Sequence, residues 1–231
     1  KIAHAICDTD IPILFYPKLS TLDDPHGRGG DTCLTEQAEP EIIEQSLKTR
    51  GKNVKVIRPL LSFQEGIDTP DNLDNLKCLV SDLGVEESRI KTALQKASAA
   101  QAEYEVALME LGRQAIEYSR EHKIPMVLVC GSVHVVHDRA INATIPNLLR
   151  QNGAMAIPMD CLPVSADAPT MVKVYWADGN RYMRAAHTAR EMGDLFPLQL
   201  SSFGCGPASM LEPVFHSQLE GYPHTILESD G

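Results

Sequence analysis

The sequence predicts an α/β protein: two Rossmann-like lobes with parallel sheets, joined by a helical segment containing one long helix. Three observations carry that expectation. Short apolar runs recur at Ile11 to Tyr16, Val54 to Ile57, Met126 to Val129, Ala154 to Ile157, Leu195 to Leu200 and Thr225 to Leu227, as strands buried in parallel sheets do. Helix-period segments separate most of them, and strands alternating with helices imply parallel sheets with crossover connections. Between residues 86 and 122 no strand-like run interrupts a helical pattern.

The elements follow in order. Ile11 to Tyr16 reads as a strand buried on both faces and closed by Pro17. A polar loop from Asp23 to Asp31 leads to Cys33, and a helix runs from about Thr35 to Gly51, with Pro40 tolerable in a first turn. Val54 to Ile57, stopped by Pro59, completes a βαβ unit. Thr69 and Pro70 are a good N-cap and first position for a helix reaching about Asp82 and carrying Cys78. The helix from Glu86 to His122 would reach about 55 Å at 1.5 Å per residue. On it Ile90, Leu94, Ala97, Gln101, Tyr104, Leu108, Leu111, Ala115 and Tyr118 make a continuous packing stripe, a spine or a dimer surface. After Pro125 the alternation resumes, with helices at 145–151, 179–191 and 207–219. The expected division is an N-terminal lobe over 1–68, a helical connector over 69–122 and a C-terminal lobe over 123–231. The start without Met and the stop at Gly231 read as an excerpt of a larger protein.

Composition narrows the function. A net charge of −10 argues against nucleic acid or an anionic membrane as partner. No apolar run approaches a membrane span and no signal-peptide core opens the chain, so the expected location is the cytoplasm. Six cysteines there read as buried thiols, metal ligands or redox groups rather than as a disulfide framework.

Cys33, Cys130, Cys161 and Cys205 each follow a predicted strand at its carboxyl end, where parallel sheets gather functional loops. That placement suggests a thiolate-ligated metal or cluster. No C-x-x-C pair supports it, and small buried cysteines at strand ends remain the alternative. The Ser201-Ser-Phe-Gly-Cys-Gly-Pro207 turn stands out. It joins an apolar run to a helix, so Cys205 would meet that helix's first N–H groups, and Gly204 and Gly206 would leave the backbone open to a cofactor. A capping turn around a buried cysteine is the competing reading. His134-Val-Val-His137 offers two imidazoles but lacks the glutamate of metalloprotease helices. His134 lines the same predicted crest. Asp138 and Asn142 read as turn or capping residues, and Tyr175 and Trp176 as core or interface aromatics. No phosphate-binding loop, dinucleotide fingerprint or nucleophile elbow is present.

Several stretches then resemble a family. They are Val174-Tyr-Trp, Asn180-Arg-Tyr-Met-Arg-Ala-Ala186, Leu198 through Pro207, Thr225 through Asp230, and Leu128 through Asp138 with Ile141, Asn142, Ile145 and Pro146. Together with Lys1-Ile-Ala-His4 and Phe15-Tyr-Pro17, they are similar to the CoA-substrate-specific enzyme activase proteins, in the portion related to 2-hydroxyacyl-CoA dehydratase components and double-cubane cluster proteins. The resemblance implies an iron–sulfur cluster held by three cysteines per cluster-bearing domain. Cys205 matches one ligand position. Cys33 matches another, with Leu34 where proline is usual, and the first would lie upstream of Lys1. This leaves Cys130 and Cys161 as spare neighbours, and the cluster could be absent from this excerpt. It further implies low-potential electrons from an ATP-dependent activator domain or subunit, and a possible homo-oligomer. The resulting expectation is an iron–sulfur electron-transfer or reductase domain. The alternative is a non-catalytic docking or scaffold module of a multidomain activase.

Overall fold

The computed structural model describes residues 2–24 and 29–229. Lys1, residues 25–28 of the predicted polar loop, and Asp230 at the end of the last resembling stretch lie outside the described residues. The protein is mixed α/β, and it divides into two compact units: Lys1–Asp23 with Asp31–Gln101, and Asp24–Gly30 with Ala102–Gly231.

The elements of the first part of the chain are α1 (Ile2–Cys7), β1 (Ile13–Phe15), β2 (Lys18–Leu22), β3 (Gly30–Asp31), α2 (Leu34–Thr49), β4 (Lys55–Ile57), β5 (Leu60–Ser62), α3 (Pro70–Asn75) and α4 (Cys78–Leu83). β1 pairs in parallel with β4, and β2 with β5. Pro17 and Pro59 do not end the pairing as the sequence suggests; they split it. Tyr16 N–H donates to the Ile57 carbonyl at 2.9 Å and Lys18 N–H to that of Pro59 at 2.9 Å, so the ladder steps across residues that lack a donor. Nor is the first strand buried on both faces. It has a single partner, and Ile13 and Phe15 are 38% and 47% exposed.

Two further expectations are corrected here. Pro40 lies within α2 rather than in its first turn, buried on the packed side with Ile43 and Leu47. The helix predicted to run from Thr69 to about Asp82 is two helices, because Leu79 N–H and Val80 N–H bond three residues back, to Leu76 and Lys77 at 2.9 Å, which tightens the chain out of the α ladder. Asn72, fully buried, braces this region through Ser62 N–H at 2.9 Å and the carbonyls of Ser62 at 2.7 Å and Ile67 at 3.0 Å.

Helix α5 (Glu87–His122) is followed by β6 (Met126–Cys130), α6 (Val133–His137), α7 (Ile145–Gln151), β7 (Met155–Pro158), a short 3₁₀ turn at Met159–Cys161, α8 (Ala177–Met192), β8 (Leu195–Ser202), α9 (Gly206–Gln218) and β9 (Thr225–Ser229). The sheet of the second unit runs β7-β6-β8-β9, and all its pairs are parallel. One face packs Leu128, Leu195, Met183 and Phe215 into the main core; the other packs Val129, Leu198 and Leu200 against Val135, Val136 and Leu149. The nearly continuous apolar character of β6 and β8 follows from burial on both faces.

The stripe on α5 is not continuous. Ile90 and Leu94 are buried in the first unit and Gly112, Ile116 and Ser119 in the second, while Tyr104, Leu111 and Tyr118 are 55%, 59% and 50% exposed. A helix of 3.6 residues per turn drifts by about 20° per heptad from a 3.5-residue repeat, so a stripe of fours and threes turns out of the buried line. Gly112 marks the closest approach: a Cβ there would stand 1.6 Å from the Cys161 carbonyl oxygen. Gly112→Ala is expected to lower stability by about 1–3 kcal/mol, read as a lower denaturation midpoint; an unchanged midpoint would contradict this packing.

Candidate functional site

Strand order places a switch point in the second unit. From β6 the chain passes to β7 on one side and returns to β8 on the other, so the loops leaving β6 and β8 part company at their carboxyl ends. In open parallel sheets ligands bind in that crevice.

Each wall of the crevice is set by local geometry. β6 ends at Cys130, which is fully buried, and Gly131 follows at φ 149°, where an added Cβ would lie 2.5 Å from the Leu200 carbonyl oxygen. Only glycine lets the β6 loop cross β8 so closely. β8 ends in Ser202 and an exposed Phe203, then Gly204 turns the chain at φ 76°. Cys205 is the N-cap of α9, its N–H donating to the Ser202 carbonyl at 3.0 Å and its own carbonyl accepting from Ser209 N–H at 3.0 Å. A Cβ added at Gly204 or Gly206 would meet nothing within 4 Å. Gly204 is therefore required by its backbone angle, and both glycines leave open space beside the half-buried Cys205.

The remaining cysteines differ. Burial, and secondarily the Asp160 charge, push the Cys130 thiol far above the ordinary range, and the same two causes raise half-buried Cys161. Cys33 is the N-cap of α2 in the first unit, with its N–H donating to Glu36 Oε2 at 3.2 Å. Cys33 and Cys205 thus occupy equivalent local positions, each at a helix start, in different compact units. All six cysteines are free, and among the described residues no three His, Cys, Asp or Glu side chains gather as a metal site.

The core of the second unit holds buried polar groups that have no hydrogen-bond partner among the described residues. Tyr182 is 3% exposed and Gln199 is 1% exposed, and neither the phenol oxygen nor either end of the amide has a hydrogen-bond partner among the described residues. Gln199 stands beside Cys130 across the sheet. The Tyr182 hydroxyl is raised far above its ordinary range, first by burial and then by Cys130, Cys205, Asp178 and Glu212, so it stays protonated as a donor. Buried groups of this kind cost about 1–3 kcal/mol each when left unmade.

A second polar cluster on the crest was missed by sequence reasoning. His137 donates from Nε2 to Asp160 Oδ2 at 2.7 Å, and Arg181 donates to the other oxygen of this nearly buried carboxylate. Arg181 lies 3.9 Å from Asp178 Oδ1, and Asp178 Oδ2 accepts from Val133 N–H at 3.4 Å. Because a carboxylate only accepts, Nε2 carries the proton of neutral His137 and Nδ1 keeps the lone pair. The His-x-x-His spacing was visible in the sequence, but Asp160, 23 residues on, was not a readable partner. His134 is exposed on α6. Asp138 and Asn142 act as turn residues: Asp138 Oδ1 accepts from Ala140 N–H at 2.8 Å and Asn142 donates to the Val136 carbonyl at 2.9 Å. Of the aromatics, Trp176 packs on the main core whereas Tyr175 is 69% exposed.

Among the described residues no helix is long and apolar enough to cross a membrane. Comparison with known families matches residues 2–162 to the CoA enzyme activase uncharacterised domain (DUF2229). Cys33 and His134 fall within the matched residues, and the Cys205 turn falls beyond them. No curated protein matches the chain, and no solved structure does.

Alkylation by iodoacetamide near pH 8, where accessible thiols react as thiolates, should label Cys33 and Cys205 in the native protein and spare Cys130 until it unfolds. Peptide mass spectrometry reads this directly, and early labelling of Cys130 would contradict a sealed β6 end.

Proposed function

The chain belongs to the CoA enzyme activase domain family, and on that premise we propose that it is an iron–sulfur electron-transfer domain related to 2-hydroxyacyl-CoA dehydratase components. It would receive low-potential electrons from an ATP-dependent activator domain or subunit. The observation that carries the reading is the position of Cys205, the half-buried N-cap residue of α9 at the β6–β8 switch point, with open space beside Gly204 and Gly206. Cys205 and Cys33 would each contribute one thiolate. When bound, a cluster supplies one-electron chemistry, at a potential set by ligands, burial and hydrogen bonds.

The chain's own groups have definable tasks around it. The first-turn N–H groups of α9 favour negative charge at the Cys205 position. Gly204 and Gly206 keep the approach open, and His134 borders the opening. Asp160 orients the Nε2–H of His137, which leaves Nδ1 as an acceptor.

A second reading, a docking module without redox chemistry, is favoured by exposed apolar side chains in the segments that follow β6 and β8: Val133 at 40%, Phe203 at 63% and Met210 at 68%. Anaerobic iron and acid-labile sulfide analysis after reconstitution separates the two, using the longest natural polypeptide containing this chain. The electron-transfer reading expects stoichiometric iron and sulfide, lost in Cys33→Ala and in Cys205→Ala. A folded protein that takes up neither would leave the docking module.

A further inference from the structure

A pair of histidines lies at the other end of α9, and the cysteine reading does not use it. His216 stands in the last turn of α9, and His224 immediately precedes β9, at the amino ends of the parallel strands. His224 Nδ1 lies 2.7 Å from the Tyr222 carbonyl oxygen, and its Nε2 lies 2.6 Å from His216 Nδ1. A carbonyl only accepts, so Nδ1 of neutral His224 holds the proton and Nε2 turns a lone pair towards His216. A histidine with one nitrogen tied to a backbone carbonyl and the lone pair of the other fixed in direction shares the orientation of metal-ligating histidines.

The neighbours hold this arrangement in place. Phe215 meets the His224 ring edge-on, with centroids 5.8 Å apart. The Tyr222 hydroxyl donates to the Leu195 carbonyl at 3.0 Å, which fixes the loop before His224. His216 is exposed, and no third His, Cys, Asp or Glu joins the pair among the described residues. Water would therefore fill the remaining coordination positions.

We propose that His216 and His224 form a two-imidazole site for a borderline divalent transition metal of the zinc or nickel class. Imidazole nitrogen suits these ions, whereas calcium and magnesium require oxygen ligands. In the metal-free state His216 Nδ1–H donates to His224 Nε2. On binding, the rings part from 2.6 Å to the roughly 3.3 Å that two Zn–N bonds of about 2.0–2.1 Å at a tetrahedral angle require, and neutral His216 moves its proton to Nε2, so both nitrogens coordinate and no net proton is released. The ion would tie the end of α9 to the start of β9 and stabilise the folded state by mass action.

Zinc titration of the whole chain, followed through long-range ¹H–¹⁵N spectra of the histidine rings, tests this. His216 Nδ1 and His224 Nε2 should shift together at saturation, with an accompanying rise in Tm. Apparent affinity at these nitrogens should fall by about tenfold or more in His216→Ala and in His224→Ala. It should be unchanged in Cys205→Ala, which separates this site from the cysteine reading. Zinc that leaves both nitrogens unmoved, or His216→Ala binding as tightly as the wild type with the same rise in Tm, would overturn the proposal.

Discussion

The in-register parallel pairing of β6 with β8, from Met126 opposite Leu195 to Cys130 opposite Gln199, is the constraint on which the second unit depends. Both strands are covered on both faces, so a slip of one residue would move each apolar side chain to the wrong core. The register also brings Gly131 against the Leu200 carbonyl. That contact fixes where the β6 loop and the β8 turn diverge, and so where Gly204 and Cys205 stand. Strand pairing, helix capping and the placement of polar groups are thus consequences of one register.

Much of this was legible in the sequence for a physical reason. β6, β7, β8 and the helices between them are coded by local signals: apolar runs of strand length, Pro at helix starts, Gly where φ is positive. The first unit was less legible because its strands are broken by Pro17 and Pro59, and the paired halves β2 and β5 carry mixed sequences. α5 was readable as a helix, but the side it buries was not, since seven-residue spacing and a straight helix drift apart along its length. The polar groups of the site were the least legible. Asp160 serves His137 and Arg181 through tertiary approach, and Gln199 within an apolar strand becomes conspicuous only when its burial is known.

The cysteines show the same separation between position and environment. From the sequence, Cys130 and Cys205 look alike, each following a strand at its carboxyl end. In the fold, Cys130 is sealed in the core and held as a neutral thiol, whereas Cys205 stands at the mouth of a helix with open space beside it. Cys33 shares the capping role but belongs to the first compact unit. The family match includes Cys33 and stops before Cys205, so the proposal for Cys205 rests on its position at the start of α9 and on its motif.

The measurement that tests the central claim most directly is anomalous scattering at the iron edge from anaerobically grown crystals of iron-loaded protein. The account predicts an iron peak bonded to the sulfur of Cys205, in the crevice between the ends of β6 and β8. Iron retained by the protein with its peaks elsewhere, and ordered solvent alone beside Cys205, would contradict it.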